Sequence, residues 1–378
     1  MKQRVLFTAS TCSHIVHFHR PYLRAFQERG WEVHVACGGT AEPLPEADHI
    51  FLLPFEKKMS SPANFRAQGQ LRQLMRENRY DLVTTHTSLA AFFTRRAAAG
   101  LGRERPPLVN VAHGYLFDDE TPALKRSVLL SAERLTARET DLLLTMNAYD
   151  YRAAMRCRLG ARVENIPGIG VDFTRLDSPP GDRAALRATY GFSGGDFVML
   201  YAAEFSARKN QSLLLRALPG LPERVKLLLP GQGALLEACR SLAASLDVAD
   251  RVVFPGQVED MAPLYALVDA AVTASRSEGL PFNVMEAMYA ALPVVASRVK
   301  GHTDLLTDGL TGLLYPYNDG SAFCAAVRRL LEEPSLAAGL GRAAHQAVLP
   351  FSLERVLPQV MEHYLSLVPQ AAPALAQN

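Results

Sequence analysis

Short apolar runs alternate with longer amphipathic stretches along almost all of the 378 residues. Such runs are typical of strands that are buried on both faces, and a strand–helix–strand order is typical of parallel sheets. The alternation therefore predicts an α/β fold in which helices cover parallel sheets. In the first half, the predicted strands are Arg4–Thr8, Glu32–Ala36, Ile50–Leu53, Leu82–Thr85, Leu108–His113, Leu142–Met146 and Val163–Ile166.

The alternation breaks near the middle of the chain. Asn165–Asp172 reads NIPGIGVD, and Ser178–Gly181 adds further proline and glycine. Segments of this kind are typical of hinges between domains, and the chain length also suggests two domains. We therefore expect one α/β domain in residues 1–171 and a second in residues 172–352.

The second half resumes the alternation and closes with two other segments. The amphipathic stretch Leu353–Val368 predicts a last helix. Residues 369–378 are rich in alanine, proline and glutamine, and we expect a disordered tail there. The predicted strands of this half are Phe197–Ala202, Lys226–Leu229, Val252–Phe254, Ala270–Thr273, Val294–Ala296 and Gly312–Tyr315.

Composition excludes several classes of protein. The chain is 48% hydrophobic with a net charge of +2, which is typical of a globular protein and not of a disordered one. Five cysteines without a CxxC pair argue against a zinc site or a disulfide framework and predict a cytoplasmic protein. We expect neither a signal peptide nor a membrane-spanning helix. Basic and aromatic residues are not interleaved as in nucleic-acid sites, so no nucleic-acid partner is expected.

The two halves differ in charge. Residues 1–170 hold 23 basic and 17 acidic residues, whereas residues 171–378 hold 17 and 21. One segment of the first half mixes basic and apolar residues at near-helical spacing: Arg66, Leu71, Arg72, Leu74, Met75, Arg76 and Arg79. Such a face suits an anionic membrane surface or a phosphorylated acceptor, and an ordinary solvated helix face is the alternative.

The strongest local pattern is Ala270–Ala291, where a buried strand ends in a polar loop that opens into a helix. Gly279 allows a ligand to approach the backbone, and backbone N–H groups at the start of a helix bind phosphate. Glu278 and Glu286 do not suit phosphate, but a carboxylate accepts both hydroxyls of a ribose or sugar diol. Alternatively, Glu286 is only a favourable acid in the first turn of the helix.

A second strand–loop–helix pattern spans Phe197–Leu218, with Asn210 as the predicted N-cap. Arg208 and Lys209 precede that cap directly, where cations oppose the helix dipole. An anion between them would compensate, and a diphosphate is the natural candidate. A solvated pair of loop cations explains the same pattern.

Two weaker signals follow other strands. Glycines in Val225–Gly233 allow a ligand near the backbone, although a plain turn explains them as well. His113, at a strand end before Gly114, is placed to point into a crevice, but it also fits a structural histidine. His14, His17 and His19 lack an acidic neighbour, so we expect no metal there.

Several well-known motifs are missing. The chain has no GxGxxG after the first strand, no GxxxxGK[ST], no GxSxG and no HExxH. Their absence argues against dinucleotide dehydrogenases, P-loop NTPases, α/β-hydrolases and zincins.

The patterns together resemble the retaining GT-B glycosyltransferases of family 4. The resemblance covers nearly the whole chain and rests on Glu278 and Glu286, ARKNQ at Ala207–Gln211, PGQG at Pro230–Gly233 and GLTGLLYP at Gly309–Pro316. The amino-terminal pieces SHIVHFHRPYL, VAHGY and NIPGIGVD are similar to the branch that builds bacterial capsular, exopolysaccharide and other lipid-linked glycans.

This resemblance implies an architecture and a set of site residues. It implies two Rossmann-like, doubly wound parallel-sheet domains with a cleft between them, the acceptor held mainly by the first and a nucleotide-sugar by the second. Leu353–Val368 would cross back to the first domain. The implied catalytic residues are His113, near the anomeric carbon, Glu278, on a hydroxyl of the transferred sugar, and Lys209, on the diphosphate. The other implied donor contacts are Glu286 on the ribose diol, backbone at Gly279 and Leu280 on phosphate, Gln257 and Val258 on the base, and Arg208, Gly231, Ser13 and His14.

Two positions depart from the family pattern. Many members have paired glycines after the first strand, whereas Ser10–His14 has none. Many also have a basic residue where Glu204 stands, so Arg208 is expected to supply that charge.

The expected activity is transfer of a sugar, with retention, from a nucleotide-diphosphate donor to a lipid-linked or saccharide acceptor. A UDP-sugar is the expected donor, and no cofactor or metal is expected because no DxD pair follows a strand. We expect a cytoplasmic location, with peripheral contact at the inner face of the membrane. Two alternatives are a sugar-nucleotide epimerase or hydrolase, with Asp118, Asp119 and Glu120 as its acids, and a noncatalytic binding subunit.

Overall fold

The computed structural model describes residues 2–177 and 181–368, which divide into two compact units. Unit 1 comprises Met1–Ile169 and Glu354–Asn378, and unit 2 comprises Gly170–Leu353. The predicted hinge residues 178–180 and the predicted tail lie outside the described residues.

Unit 1 is built on one parallel sheet. Its strands are β1 (Arg4–Ala9), β2 (Glu32–Cys37), β3 (His49–Leu52), β4 (Leu82–His86), β5 (Leu108–Ala112), β6 (Leu142–Thr145) and β7 (Arg162–Asn165). They lie in the order β3-β2-β1-β4-β5-β6-β7 and pair in parallel. The α-helices of the first 169 residues are α1 (Cys12–Phe18), α2 (Arg20–Glu28), α3 (Pro62–Asn78), α4 (Ser88–Ala99), α5 (Ala123–Leu135) and α6 (Ala148–Cys157).

Unit 2 is built on a second parallel sheet. Its strands are β8 (Phe197–Leu200), β9 (Val225–Pro230), β10 (Val252–Gly256), β11 (Ala270–Thr273), β12 (Val294–Ser297) and β13 (Leu313–Tyr315), in the order β10-β9-β8-β11-β12-β13. Its helices are α7 (Arg183–Thr189), α8 (Gln211–Ala217), α9 (Leu236–Ser245), α10 (Ala262–Leu267), α11 (Phe282–Tyr289), α12 (His302–Leu305), α13 (Gly320–Glu332) and α14 (Pro334–Val348).

A last helix, α15 (Leu353–Leu365), returns the chain to unit 1. Tyr364 is fully buried, and its ring centroid lies about 6 Å from those of three unit 1 aromatic rings: Phe7, Tyr22 and Phe26. The buried contact fixes the carboxyl-terminal helix to unit 1.

The prediction of two parallel α/β sheets is confirmed, and each predicted strand lies within two residues of an observed one. Central strands such as β11 are buried at every residue, which explains why their sequences are largely apolar runs. In both sheets the strand order reverses beside the first strand, between β1 and β4 and between β8 and β11. Ligands bind at such switch points, at the carboxyl ends of the strands.

The mixed basic and apolar face considered for Arg66–Arg79 is not formed, and the alternative of an ordinary solvated helix face fits the structure. Leu71, Leu74 and Met75 of α3 are buried in a core cluster with Leu6 and Val83. The apolar spacing therefore marks the side of α3 that faces the sheet, while its arginines lie on another side.

Within the described residues, no helix is both long enough and apolar enough to cross a membrane.

Candidate functional site

In unit 2, the loops after β8 and β11 leave from the two sides of the switch point. Arg208 belongs to the first loop and Glu278 to the second. The backbone N–H of Arg276 donates to the carbonyl of Arg208 at 2.8 Å, which ties the loops together. The topology thus brings together residues that are about seventy positions apart.

Glu278 is the centre of a three-charge cluster. Its Oε1 lies 2.6 Å from Nζ of Lys209, and its Oε2 lies 2.7 Å from Nη1 of Arg208. Burial would raise the pKa of Glu278, but the charges of Lys209 and Arg208 outweigh burial and lower the pKa to about 2. Glu278 is therefore ionised at neutral pH, and one carboxylate with two basic side chains gives the cluster a net charge of +1. The cluster has two cations and one carboxylate, so it attracts an anion.

Buried hydroxyls support this cluster from below. The Tyr201 hydroxyl donates to the carbonyl of Lys209 at 3.0 Å and lies 2.7 Å from Oγ of Ser275. Ser297 donates from Oγ to the carbonyl of Ser275 at 2.6 Å. These bonds hold both loops in position, so the charges are preorganised.

The backbone of Gly301 packs closely against the same cluster. A Cβ on Gly301 would lie 2.8 Å from Cβ of Glu278 and 2.8 Å from the carbonyl oxygen of Gly279, and its φ is +82°. Only glycine meets both conditions without strain.

Glu286 forms a second buried cluster on α11. It accepts a hydrogen bond from the Tyr265 hydroxyl at 2.8 Å and forms an ion pair with Arg175. Asn283, also on α11, donates to the carbonyl of Ala202 at 3.0 Å, so the helix is tied to the loop after β8. The Glu286 side chain thus contacts tertiary partners and does not act as a helix-terminal acid. Arg175 is half exposed.

The remaining predicted donor contacts of unit 2 lie in neighbouring loops. A Cβ on Gly231 would lie 2.1 Å from the carbonyl oxygen of Ala203, so close backbone packing already explains this glycine. Gln257 is exposed and Val258 is partly buried directly after β10. Gly279 and Leu280 connect Glu278 to α11.

In unit 1, four histidines lie together beside the switch point: His14, His19, His86 and His113. His113 follows β5, and its Nε2 lies 3.3 Å from Nδ1 of His86. Burial and the nearby His14 lower the pKa of His113 well below its ordinary value. Burial lowers the pKa of His14 to about 4. Both rings are therefore neutral at pH 7, and each has one nitrogen that donates and one that accepts.

Among the described residues of unit 1, two groups could hold a metal ion, one within these histidines and one formed by Glu32, His34 and His49. Ring nitrogens of His14, His19 and His113 lie within 4.8 Å of one another. His19 is fully buried, and neither of its ring nitrogens has a hydrogen-bond partner among the described residues. Three neutral imidazoles could hold a transition-metal ion. The expectation of no metal stays a prediction.

Ser13, in the first turn of α1, donates to the Thr11 hydroxyl at 3.2 Å.

A cavity of about 300 Å³ adjoins this cluster. His113 and Leu116 line it from the loop after β5, and Glu133 lines it from α5. Next to this wall, Asp118 and Asp119 are engaged with other residues. Asp118 accepts from the Thr121 hydroxyl at 2.7 Å, and Asp119 accepts from the Tyr149 hydroxyl at 2.9 Å. Glu120, the third carboxylate of the epimerase alternative, is exposed.

Sequence reasoning missed several residues of these clusters: Arg175, Tyr201, Tyr265, His302 and His86. Arg175 and Tyr265 meet Glu286 from other elements, and no local pattern marks them. His302 is fully buried, and Glu278 raises its pKa while the larger effect of burial lowers it. Burial in the cluster depends on tertiary packing, which the sequence alone does not display.

Comparison with known proteins gives a consistent assignment. Residues 20–175 match the family model "Glycosyltransferase Family 4", and residues 182–347 match "Glycosyl transferases group 1". The chain is 33% identical over 369 residues to a Bacillus subtilis protein named as glycosyltransferase EpsD, covering 96% of this chain and 97% of that one. It is 30% identical to the D-inositol 3-phosphate glycosyltransferase of Saccharomonospora viridis, covering 89% and 85%.

Solved structures agree in fold. HepE of Anabaena, in complex with UDP and glucose, superimposes with a TM-score of 0.80 at 20% identity and covers 96% of this chain and 100% of its own. Sucrose-phosphate synthase of Thermosynechococcus elongatus gives 0.80 at 20% identity, covering 97% and 99%. The fold and the sequence relatives agree: the chain belongs to glycosyltransferase family 4 and has the GT-B fold.

Proposed function

We propose that this glycosyltransferase transfers a sugar, with retention at the anomeric carbon, from a UDP-sugar to a lipid-linked or saccharide acceptor. The observation that carries the proposal is the cluster of Arg208, Lys209 and Glu278 at the switch point of unit 2. A net positive, preorganised cluster at this place suits the diphosphate of a nucleotide-sugar.

The proposed catalytic effect is stabilisation of the leaving group. As the bond from the anomeric carbon to the diphosphate lengthens, negative charge grows on the diphosphate oxygens. Lys209 and Arg208 are already held in place by Glu278 and need no reorganisation to bind that charge. Backbone at Gly279 and Leu280, just before α11, adds the positive end of a helix dipole.

The bond changes balance without a nucleophilic side chain. The acceptor hydroxyl oxygen forms the new bond to the anomeric carbon on the face from which the diphosphate leaves. The bond to the diphosphate breaks, and its electron pair stays on the phosphate oxygen. The hydroxyl proton passes to that oxygen. Glu278 orients a hydroxyl of the transferred sugar, and neutral His113 hydrogen-bonds the sugar near its anomeric carbon.

Glu286 is assigned to the ribose. Its carboxylate is buried, and its partners among the described residues are Tyr265 and the half-exposed Arg175. A ribose diol that displaces Arg175 would give the carboxylate two hydroxyl donors in exchange for one cation. Gln257 and Val258 are assigned to the edge of the base, with Gly231, Ser13 and His14 as further donor contacts.

The nucleotide is proposed as uridine, because HepE was crystallised with UDP-glucose and has the same fold. A GDP-mannose-dependent mannosyltransferase of Mycolicibacterium smegmatis is 32% identical over 235 residues, so a guanosine donor is the competing outcome. The proposed reaction uses no metal, since basic side chains perform the role that a metal has in DxD transferases. The proposed location is the cytoplasmic side of the membrane.

The proposal is tested by incubating the protein with UDP-sugars, GDP-mannose and polyprenyl-linked or soluble saccharide acceptors. The product is analysed by NMR for the configuration at its anomeric carbon. We expect a product that keeps the configuration of the donor. An inverted product would contradict the mechanism, and free sugar or an epimer formed without acceptor would indicate the hydrolase or epimerase alternative.

A further inference from the structure

Helix α5 presents an apolar stripe to solvent. Leu124 is 80% exposed, Val128 62% and Leu135 59%. At about 100° per residue, these three positions fall within roughly 40° of one another around the helix. The three side chains therefore share one face of α5, with the exposed Ser131 between Val128 and Leu135, and none of the three belongs to the core.

Basic residues flank the stripe on both sides. Lys125 and Arg134 are exposed and lie about 80° to 100° from its centre, in opposite directions around the helix. Arg138 is exposed just beyond the end of α5. An exposed apolar face with a cation on either side is typical of a helix that lies flat in the interface of an anionic bilayer.

The opposite side of α5 is fixed to unit 1. Leu129 and Leu130 pack against the core cluster that contains Tyr115 and Phe117. Glu133 accepts a hydrogen bond at 2.8 Å from Arg95, whose side chain is fully buried. The stripe therefore lies on a helix whose other side contacts the rest of unit 1.

We propose that the stripe of Leu124, Val128 and Leu135, with Lys125 and Arg134, is the surface by which this protein binds an anionic lipid bilayer. The two parts of the surface match the two parts of a lipid interface. The apolar side chains enter the acyl boundary, and the flanking cations meet phosphate headgroups. This surface replaces the arginines of α3, whose neighbouring apolar residues are buried.

The position of α5 suggests a role for this surface in acceptor binding. This role rests on the proposed lipid-linked acceptor. Glu133 of α5 and the exposed Leu116 line the same cavity as His113. A helix lying in the membrane interface would place that cavity at headgroup level. The polar head of a lipid-linked acceptor could then enter it while its tail stays in the bilayer.

The first test is flotation of the purified protein with vesicles of phosphatidylcholine alone or mixed equally with phosphatidylglycerol. We expect binding to the anionic vesicles that weakens as salt is raised. Replacing Leu124, Val128 and Leu135 together by serine should weaken it about a hundredfold. The matched control replaces three exposed apolar residues elsewhere, Leu52, Met155 and Leu310, by serine, and should bind as the wild type does.

Charge variants separate α5 from α3. Lys125→Glu with Arg134→Glu should weaken binding to anionic vesicles about thirtyfold or more. Arg66→Glu with Arg76→Glu, on the exposed side of α3, should leave it unchanged. Equal losses in the two pairs would show that only overall charge matters and would overturn the assignment to α5.

A fluorescence measurement reports insertion directly and avoids variants that fail to fold. The natural chain has one tryptophan, the buried Trp31. Brominated lipids should quench the emission of Val128→Trp but not that of Leu310→Trp. A lack of quenching, or a dimer that the serine variant dissociates, would overturn the proposal, the dimer indicating a second copy of the chain.

Failure of this inference is distinguishable from failure of the proposed function. UDP binding and transfer to a soluble acceptor do not require the stripe, so the serine variant should retain both. Vesicle binding without any sugar transfer would contradict the proposed function and leave the surface in place. Sugar transfer without vesicle binding would overturn the membrane-binding surface and leave the proposed function in place.

Discussion

Lys209 is the residue whose role follows most directly from its contacts. Its side chain is 12% exposed, and Glu278 holds it in place. We predict that Lys209→Ala weakens UDP binding by about 1.5 to 3 kcal/mol, because a charge-assisted contact to the diphosphate is lost. Calorimetry should show little change for uridine, and Arg216→Ala, an exposed cation on α8, serves as the control. Equal losses for UDP and uridine would place Lys209 in folding or base binding.

The two glutamates should separate in the same measurement. Glu286→Gln should weaken UDP and UDP-sugar alike, by roughly tenfold or more, because its carboxylate is assigned to the ribose that both ligands share. Glu278→Gln should chiefly lower turnover, since an amide oxygen still accepts from Lys209 while the sugar contact changes. An unchanged UDP affinity in the Glu286 variant would remove the ribose assignment.

The ionisation of Glu278 predicts how stability depends on pH. Its pKa is about 2 in the folded protein, below the ordinary value of 4.5. A carboxyl with a lowered pKa stabilises the fold fully above its unfolded pKa, and this contribution is lost as pH falls through the folded pKa. The difference in unfolding free energy between wild type and Glu278→Gln should therefore be constant near neutral pH and shrink below about pH 4.5.

Denaturant titrations over this pH range measure that difference. Glu237→Gln, at a side chain that is 85% exposed, is the control and should show no such change. A difference that stays constant down to the lowest pH would mean that Lys209 and Arg208 do not keep Glu278 ionised.

At the scale of elements, the loop that contains Gly301 determines the shape of the Glu278 cluster. Gly301→Ala should lower the free energy of unfolding by about 1 to 3 kcal/mol and weaken UDP binding, because its Cβ would collide with Glu278. Gly309→Ala is a matched control, since Gly309 has a similar φ of +74° but nothing within 4 Å of its Cβ. Equal effects of the two substitutions on UDP binding would show that only the φ penalty matters.

The strands were predictable because strands that are buried on both faces have largely apolar sequences. Helix bounds were harder to predict. α3 begins at Pro62, where Ser61 is an N-cap that accepts from the Ala63 N–H and proline fits the first turn. Asn210 occupies the N-cap position of α8 as predicted, but its side chain does not cap the helix. α5 was not predicted, because apolar residues lie on its solvent side as well as on its core side and the sequence does not show which side is buried.

The site was predictable only where its residues lie in one segment. Glu278 and Glu286 stand out because they follow one strand and enter one helix. Arg175 and Tyr265 come from other elements, and their pairing with Glu286 depends on the completed fold. The sequence also paired the arginines of α3 with apolar neighbours that the fold buries. Spacing shows that residues share a helix face, but not whether that face meets solvent or core.

At the scale of the whole molecule, the central claim is that unit 2 binds the diphosphate of a uridine nucleotide without a metal. The most direct measurement is calorimetric titration of the full chain with UDP, UMP, GDP and uridine in the presence of EDTA. We predict that UDP binds well and that UMP and uridine bind progressively more weakly, because each lost phosphate removes contacts to Lys209 and Arg208. UDP binding no tighter than that of uridine, or UDP binding that appears only when Mg²⁺ or Mn²⁺ replaces the chelator, would contradict the account.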